Sequence, residues 1–211
     1  MNSKIALGAP LMLLSMSLMH DPLPDLKIGD AMPAADVRMK DVTAKEITLK
    51  DAAGSNGLLV VFSCNTCPFV VGSEGSQGWE GRYPALADYC RENKVGMVLV
   101  NSNEAKREAG DGFLDMQLRY RAKGYKGFYV LDEMHKVADA FGARTTPHVF
   151  LFDKGGKLVY KGAIDDSVES ADAVKQHYVQ DAIKAVVAGN APDPATTRNL
   201  GCSIKRVAHQ H

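Results

Sequence analysis

Cys64-Asn65-Thr66-Cys67 places two thiols three residues apart, immediately after the apolar run 58–62 with Ser63 and immediately before Pro68. Two sulfurs at that spacing close a small disulfide ring if the backbone turns into a helix there. At a helix start, unsatisfied N–H groups and the positive dipole end favour thiolate over thiol. Pro68 fits such a start, because proline is tolerated in a first helical turn and disruptive deeper inside. The expected chemistry is thiol–disulfide exchange. Cys64 would stand at the exposed helix start and attack as thiolate. Cys67, one turn into the helix on the same face, would displace the product from the mixed disulfide. Metal binding fits less well, since the chain lacks the second CxxC or the His pair of a structural zinc site. No metal and no cofactor is implied.

Such a pair needs a strand before it and a helix after it. The run 58–62, with turn residues ahead of it, suits a central strand buried on both faces. After Pro68 the helical pattern is broken by Gly72-Ser73-Glu74-Gly75-Ser76-Gln77-Gly78, ahead of Trp79, and resumes over 83–93. That glycine-rich insert reads as a surface loop, with a mobile lip over the thiols as the alternative. Further strands are expected at 35–39, 46–49, 95–100, 128–131, 148–152 and 158–161, the last two joined by Lys154-Gly155-Gly156-Lys157. Helices are expected at 113–122, 133–141 and 171–187, the second stopped by Gly142. Strands alternating with helices, closing on a hairpin and a last helix, give a three-layer α/β/α sandwich with a central mixed sheet.

Thr145-Thr146-Pro147 precedes the strand at 148–152 and is the second motif of interest. Arg144 beside it could support a thiolate by charge, although a solvated side chain is the simpler reading. His148 reads as structural. Cys90, in a helical stretch, reads as core. Cys202 stands in a segment without periodicity, where a third redox thiol and a packed structural one fit equally well. His209 and His211 form a loose pair in a terminal segment.

Taken together, these motifs are similar to the thioredoxin superfamily, in which a cis-proline loop faces the CxxC helix. The resemblance implies a cis bond at Thr146–Pro147 and a substrate-pairing role for Thr146 and Pro147. Phe62-Ser63-Cys64-Asn65-Thr66-Cys67-Pro68-Phe69-Val70, Val100-Asn101-Ser102-Asn103, Thr146-Pro147 ahead of Phe150-Leu151-Phe152-Asp153, Gly162-Ala163-Ile164-Asp165-Asp166 and Gly201-Cys202-Ser203-Ile204-Lys205 narrow the match. Over 26–206 they resemble peroxiredoxin-like redoxins that carry CxxC, of the alkyl hydroperoxide reductase and thiol-specific antioxidant group. Peroxiredoxins proper place Thr or Ser three residues before the peroxide-reacting Cys, with a proline before that. Here Cys64 holds the Thr position relative to Cys67, and Val60 the proline position. The buried Asp that thioredoxins carry six residues before the first Cys is Leu58. The resemblance implies a thiol–disulfide oxidoreductase. A thiol peroxidase, with Cys67 meeting peroxide and Cys64 or Cys202 resolving, is the competitor. A non-catalytic module with a structural disulfide or metal relay is the other.

The 211 residues carry 25 Lys+Arg against 25 Asp+Glu and are 45% hydrophobic. Neutrality removes the electrostatic case for nucleic acid or an anionic membrane as partner. The expected partners are a protein or small-molecule thiol or disulfide and an upstream redox protein. Residues 1–20, with Lys4 ahead of a Leu- and Met-rich stretch, read as a secretory signal or N-terminal anchor, and hence as export to a periplasmic or other extracytoplasmic home. Residues 21–190 form the expected redoxin domain, and 191–211 a C-terminal tail.

Overall fold

The structure is a computed structural model that describes residues 23–208. The signal or anchor at 1–20 and the pair His209 and His211 lie outside the described residues.

The centre is β3 (Gly57–Ser63), buried along its whole length. Its side chains alternate between two cores, as a strand's period of two requires. Leu59 and Val61 face one side, with Trp79, Tyr83, Leu86, Met116, Val179 and Ile183. Leu58, Val60 and Phe62 face the other, with Leu49, Val137 and Phe141. Phe62 meets Phe141 and Phe150 edge-on, at centroid separations of 5.3 and 5.7 Å.

β3 pairs in parallel with β4 (Gly96–Asn101), which pairs in parallel with β5 (Phe128–Leu131). On its other edge β3 runs antiparallel to β7 (His148–Asp153), and β7 to β8 (Leu158–Gly162). A hairpin of β1 (Met39–Asp41) and β2 (Glu46–Ile47) extends the β5 edge, giving the seven-stranded order β2-β1-β5-β4-β3-β7-β8. Helices α3 (Tyr83–Glu92), α4 (Phe113–Ala122) and α6 (Tyr178–Val187) contribute to the first core. The short α1 (Leu49–Ala52) and α5 (Lys136–Phe141) contribute to the second. This is the expected three-layer sandwich on a mixed sheet.

Some elements depart from the sequence pattern for local reasons. The strand expected through residue 49 ends early, because Thr48 caps α1 in a reciprocal box with Asp51. The helix expected over 133–141 is a 3-10 turn (Glu133–His135) and then α5, broken where Met134 and His135 take positive φ. The helix expected over 171–187 starts only at Tyr178. Asp166 accepts the N–H groups of Lys175 and Gln176 and holds them out of helical bonding. The glycine-rich insert is pinned down: Gln77 and Gly78 donate their N–H groups to the carbonyls of Glu169 and Val168, at 2.9 and 3.1 Å.

Segment 191–208 runs against the body of the domain. Lys161 N–H donates to Ala195 and Thr197 N–H to Lys161 on the β8 edge. Further on, β9 (Cys202–Ser203) pairs antiparallel with β6 (Thr145–Thr146), and Ile204 is buried in the second core.

Candidate active site

The carboxyl ends of parallel strands β3 and β4 lie side by side, Ser63 opposite Asn101. Ligand-binding loops gather at such ends in open α/β sheets, and the CxxC loop leaves β3 here. The helix that follows is a single turn, α2 (Pro68–Val71), with Cys67 as its N-cap and Pro68 in its first turn. The expected placement is therefore shifted by three residues. Cys67 stands at the helix start; Cys64 lies in the loop ahead of it, only 1% exposed against 3% for Cys67. The shift has a steric cause: Pro68 cannot sit deep in a helix, so it fixes the first turn after Cys67 rather than after Cys64. One turn gives little macrodipole, and hydrogen bonds carry the electrostatics instead.

The loop is held from outside. Asp111, fully buried, accepts from Asn65 N–H at 2.6 Å, Thr66 Oγ1 at 2.7 Å, Asn101 Nδ2 at 2.8 Å and Asn103 Nδ2 at 3.0 Å. Asn65 also donates to the Gly110 carbonyl at 2.9 Å and accepts from Tyr129 OH at 2.9 Å. Gly110 has φ +100°, and a Cβ there would lie 2.9 Å from Thr66 Cγ2, so this close approach requires glycine. On the far side of α2, Trp79 N–H bonds the Phe69 carbonyl at 3.0 Å. Its indole Nε1 donates to Asp165 at 2.7 Å, and Arg82 pairs with the same carboxylate at 2.8 Å.

Thr146–Pro147 is a cis bond, as the resemblance implied. The two sulfurs divide Thr146 between them. Cys64 Sγ is 3.2 Å from its hydroxyl, and Cys67 Sγ, when protonated, donates to its carbonyl at 3.0 Å. Cys202 arrives opposite Thr146 on β9 and donates its N–H to Cys67 Sγ at 3.4 Å. Cys64, Cys67, Cys90 and Cys202 are all free thiols. Three of them meet at this point.

Their environments separate them. The Cys64 thiol donates to Cys67, and with further donors on Cys202 this holds Cys67 down at about 5 despite its burial. The Thr146 side chain acts in the same direction. Cys64 is pushed the other way, first by the hydrogen bond its protonated thiol donates to Cys67, then by burial and the Asp111 charge. Cys202 is raised to about 11 by burial and by the neighbouring Cys67. The reduced cluster thus stores one negative charge, on Cys67.

Other residues singled out by sequence sit further from the reacting atoms. The Arg144 side chain is exposed; its backbone carbonyl accepts from Ile204 N–H at 3.0 Å and so helps seat β9. His148 lies in β7 against Phe150, pushed down to about 4 by burial with Lys161 and Arg144 nearby, and is neutral. Cys90 is core, its thiol pushed up to about 12 by burial. Among the described residues no group of three or more His, Cys, Asp or Glu is arranged to hold a metal ion. No helix among them is long and apolar enough to cross a membrane. Asp111 and Tyr129 carried no sequence signal. Asn101 and Asn103 did, within the Val100-Asn101-Ser102-Asn103 motif.

The family model for Redoxin matches residues 27–176. The chain belongs to the Redoxin family. This places it among thiol-dependent redox proteins of peroxiredoxin-like, thioredoxin-type fold. A hypothetical protein of Sinorhizobium meliloti 1021 is 29% identical with a TM-score of 0.77, over 89% of this chain and 98% of that one. An uncharacterized conserved protein of Geobacillus kaustophilus is 27% identical with a TM-score of 0.78, over 87% and 94%. The fold also matches the bacterioferritin comigratory protein of Xanthomonas campestris, with a TM-score of 0.55 at 18% identity, over 75% and 99%. No curated protein matches this redoxin.

Proposed function

We propose that this redoxin is a thiol–disulfide oxidoreductase in which Cys67 attacks and Cys64 resolves, the reverse of the order expected from sequence. The observation that carries this is the position of Cys67 at the start of α2, with the Cys202 N–H directed at its sulfur at 3.4 Å. Cys67 has the N-cap position and the donors; Cys64 is buried beside Asp111 and keeps its proton. A thiolate at Cys67 attacks one sulfur of a client disulfide, forming a mixed disulfide and releasing the other client sulfur as thiolate. With its charge gone, Cys67 no longer holds the Cys64 proton. Cys64 gives that proton to a departing thiolate and attacks Cys67 Sγ. The Cys64–Cys67 disulfide forms, and the client leaves with two electrons gained.

The trapping experiment is direct. Cys64→Ser/Cys202→Ser, which lacks both neighbouring thiols, accumulates covalent adducts through Cys67, and Cys67→Ser accumulates none. Adducts confined to Cys67→Ser restore the order read from sequence and overturn this one.

One observation favours a second reading, reduction of hydroperoxides. Cys67 is only 3% exposed, which suits a small oxidant better than a protein disulfide. A structure of similar fold concerns alkyl peroxide reduction by the Xanthomonas protein. Peroxide consumption abolished in Cys67→Ser would support it, and no turnover in the wild-type protein would remove it. Export, a thiol or disulfide client and an upstream redox partner belong to the same proposal. Fractionation of cells expressing the full chain tests the first.

A further inference from the structure

The edge of β6 is occupied by a segment of the chain itself. Thr145 pairs with Ser203 and Thr146 with Cys202, which points the Cys202 N–H at Cys67 Sγ. Packing seats β9 closely, since a Cβ on Gly201 would fall 2.4 Å from the Thr146 carbonyl oxygen. The strand is anchored just beyond Cys202. Ile204 N–H donates to Arg144, Lys205 N–H to Asn103 Oδ1 at 2.9 Å, and Arg206 binds both Asp139 at 2.7 Å and the Ala143 carbonyl at 2.6 Å. Asn103 is also a ligand of Asp111, so one amide joins the CxxC loop to the β9 segment. Cys64 and Cys67 are buried, whereas Cys202 is partly exposed. A partner approaching from solvent therefore meets Cys202 before it meets the pair.

We propose that Cys202 is a third redox thiol, an internal client that takes the disulfide from the buried pair by exchange at Cys67 and presents it at the surface. This rests on Cys67 being the reacting sulfur, as argued above. Starting from the Cys64–Cys67 disulfide, Cys202 loses its proton and its sulfur bonds Cys67. The Cys64–Cys67 bond breaks, and Cys64 leaves as thiolate and takes up a proton. One S–S bond is exchanged for another, with no net oxidation. The cluster favours the step in that state. The charge on Cys67 that disfavours ionisation of Cys202 in the reduced protein is absent once Cys67 is in a disulfide. A dithiol arriving from outside then reduces Cys67–Cys202 without entering the core.

The experiment follows a glutathione adduct on the full-length chain. Reduced Cys64→Ser protein is treated with oxidised glutathione, and the adduct on Cys67 is followed by peptide mapping in the mass spectrometer. Cys64→Ser/Cys202→Ser serves as the paired variant, its serine preserving the size of the β9 side chain. In Cys64→Ser the adduct should decay at least roughly tenfold faster than in the paired variant, since an adjacent thiol acts at high effective concentration. Its product should be a Cys67–Cys202 disulfide. Equal adduct lifetimes, with no Cys67–Cys202 peptide, overturn the relay while leaving Cys67 as nucleophile. Absence of any adduct on Cys67 in both proteins overturns the nucleophile assignment and the relay together.

Discussion

Asp111 Oδ1 accepts the backbone N–H of Asn65 at 2.6 Å, across 46 residues of sequence. The same carboxylate holds Thr66, Asn101 and Asn103, so the two residues between the cysteines are fixed by one buried acid. Asp111→Ala leaves those donors without an acceptor and should cost about 3 kcal/mol or more. Urea unfolding of the reduced protein measures it. A loss below about 1 kcal/mol would mean that water replaces the carboxylate and that the loop is held by other contacts.

Gly201 tests how closely β9 covers Cys67. The alanine Cβ would collide with the Thr146 carbonyl, and neither backbone can move without disturbing the β6–β9 pair. Gly201→Ala should therefore raise the rate of Cys67 alkylation severalfold while the α/β core stays folded by circular dichroism. An unchanged rate would show that reagent reaches Cys67 by a route that β9 does not control.

Acid should loosen the packing of α4 against the turn Glu80–Arg82 that precedes α3. Glu80 is almost fully buried. Burial alone would raise it, but bonds from Arg119, Lys123 and Tyr125 outweigh burial and hold it below the ordinary carboxylate range. A folded value below the unfolded one contributes stability that is present above the unfolded value, about 4.3, and lost as pH falls through the folded one. Asp139, held down by Arg206 and His135 against its own burial, adds in the same direction. Urea midpoints taken from about pH 6 to about pH 3 should fall more steeply for the wild-type protein than for Glu80→Gln. Parallel profiles would remove Glu80 from the acid response.

Those three tests bear on residues of unequal visibility in the sequence. The strand at 57–63 and its two cores were legible because an unbroken apolar run can only be buried on both faces. Thr146–Pro147 and Cys202 were visible as motifs, although their meeting at Cys67 is tertiary and leaves no local trace. The helix start, expected at Cys64, falls at Cys67 for a physical reason, and the proposed order of the two cysteines follows from it. Pro68 limits where the helix begins, and it places Cys67, not Cys64, at the cap. Asp111 was invisible, since a single acid in a glycine-bounded loop has no periodicity to betray the four donors that converge on it. The late start of α6 was hidden likewise, because it depends on Asp166 reaching two N–H groups nine and ten residues on.

The most direct measurement is a pH titration of the thiolate absorbance of the reduced protein, repeated for Cys64→Ser and Cys67→Ser. The wild-type protein should titrate a single thiolate near about 5, the charge being held on Cys67, and Cys67→Ser should lose it. A low-pH thiolate that survives in Cys67→Ser and disappears in Cys64→Ser would contradict the account, as would a first ionisation at the ordinary thiol value of about 8.5.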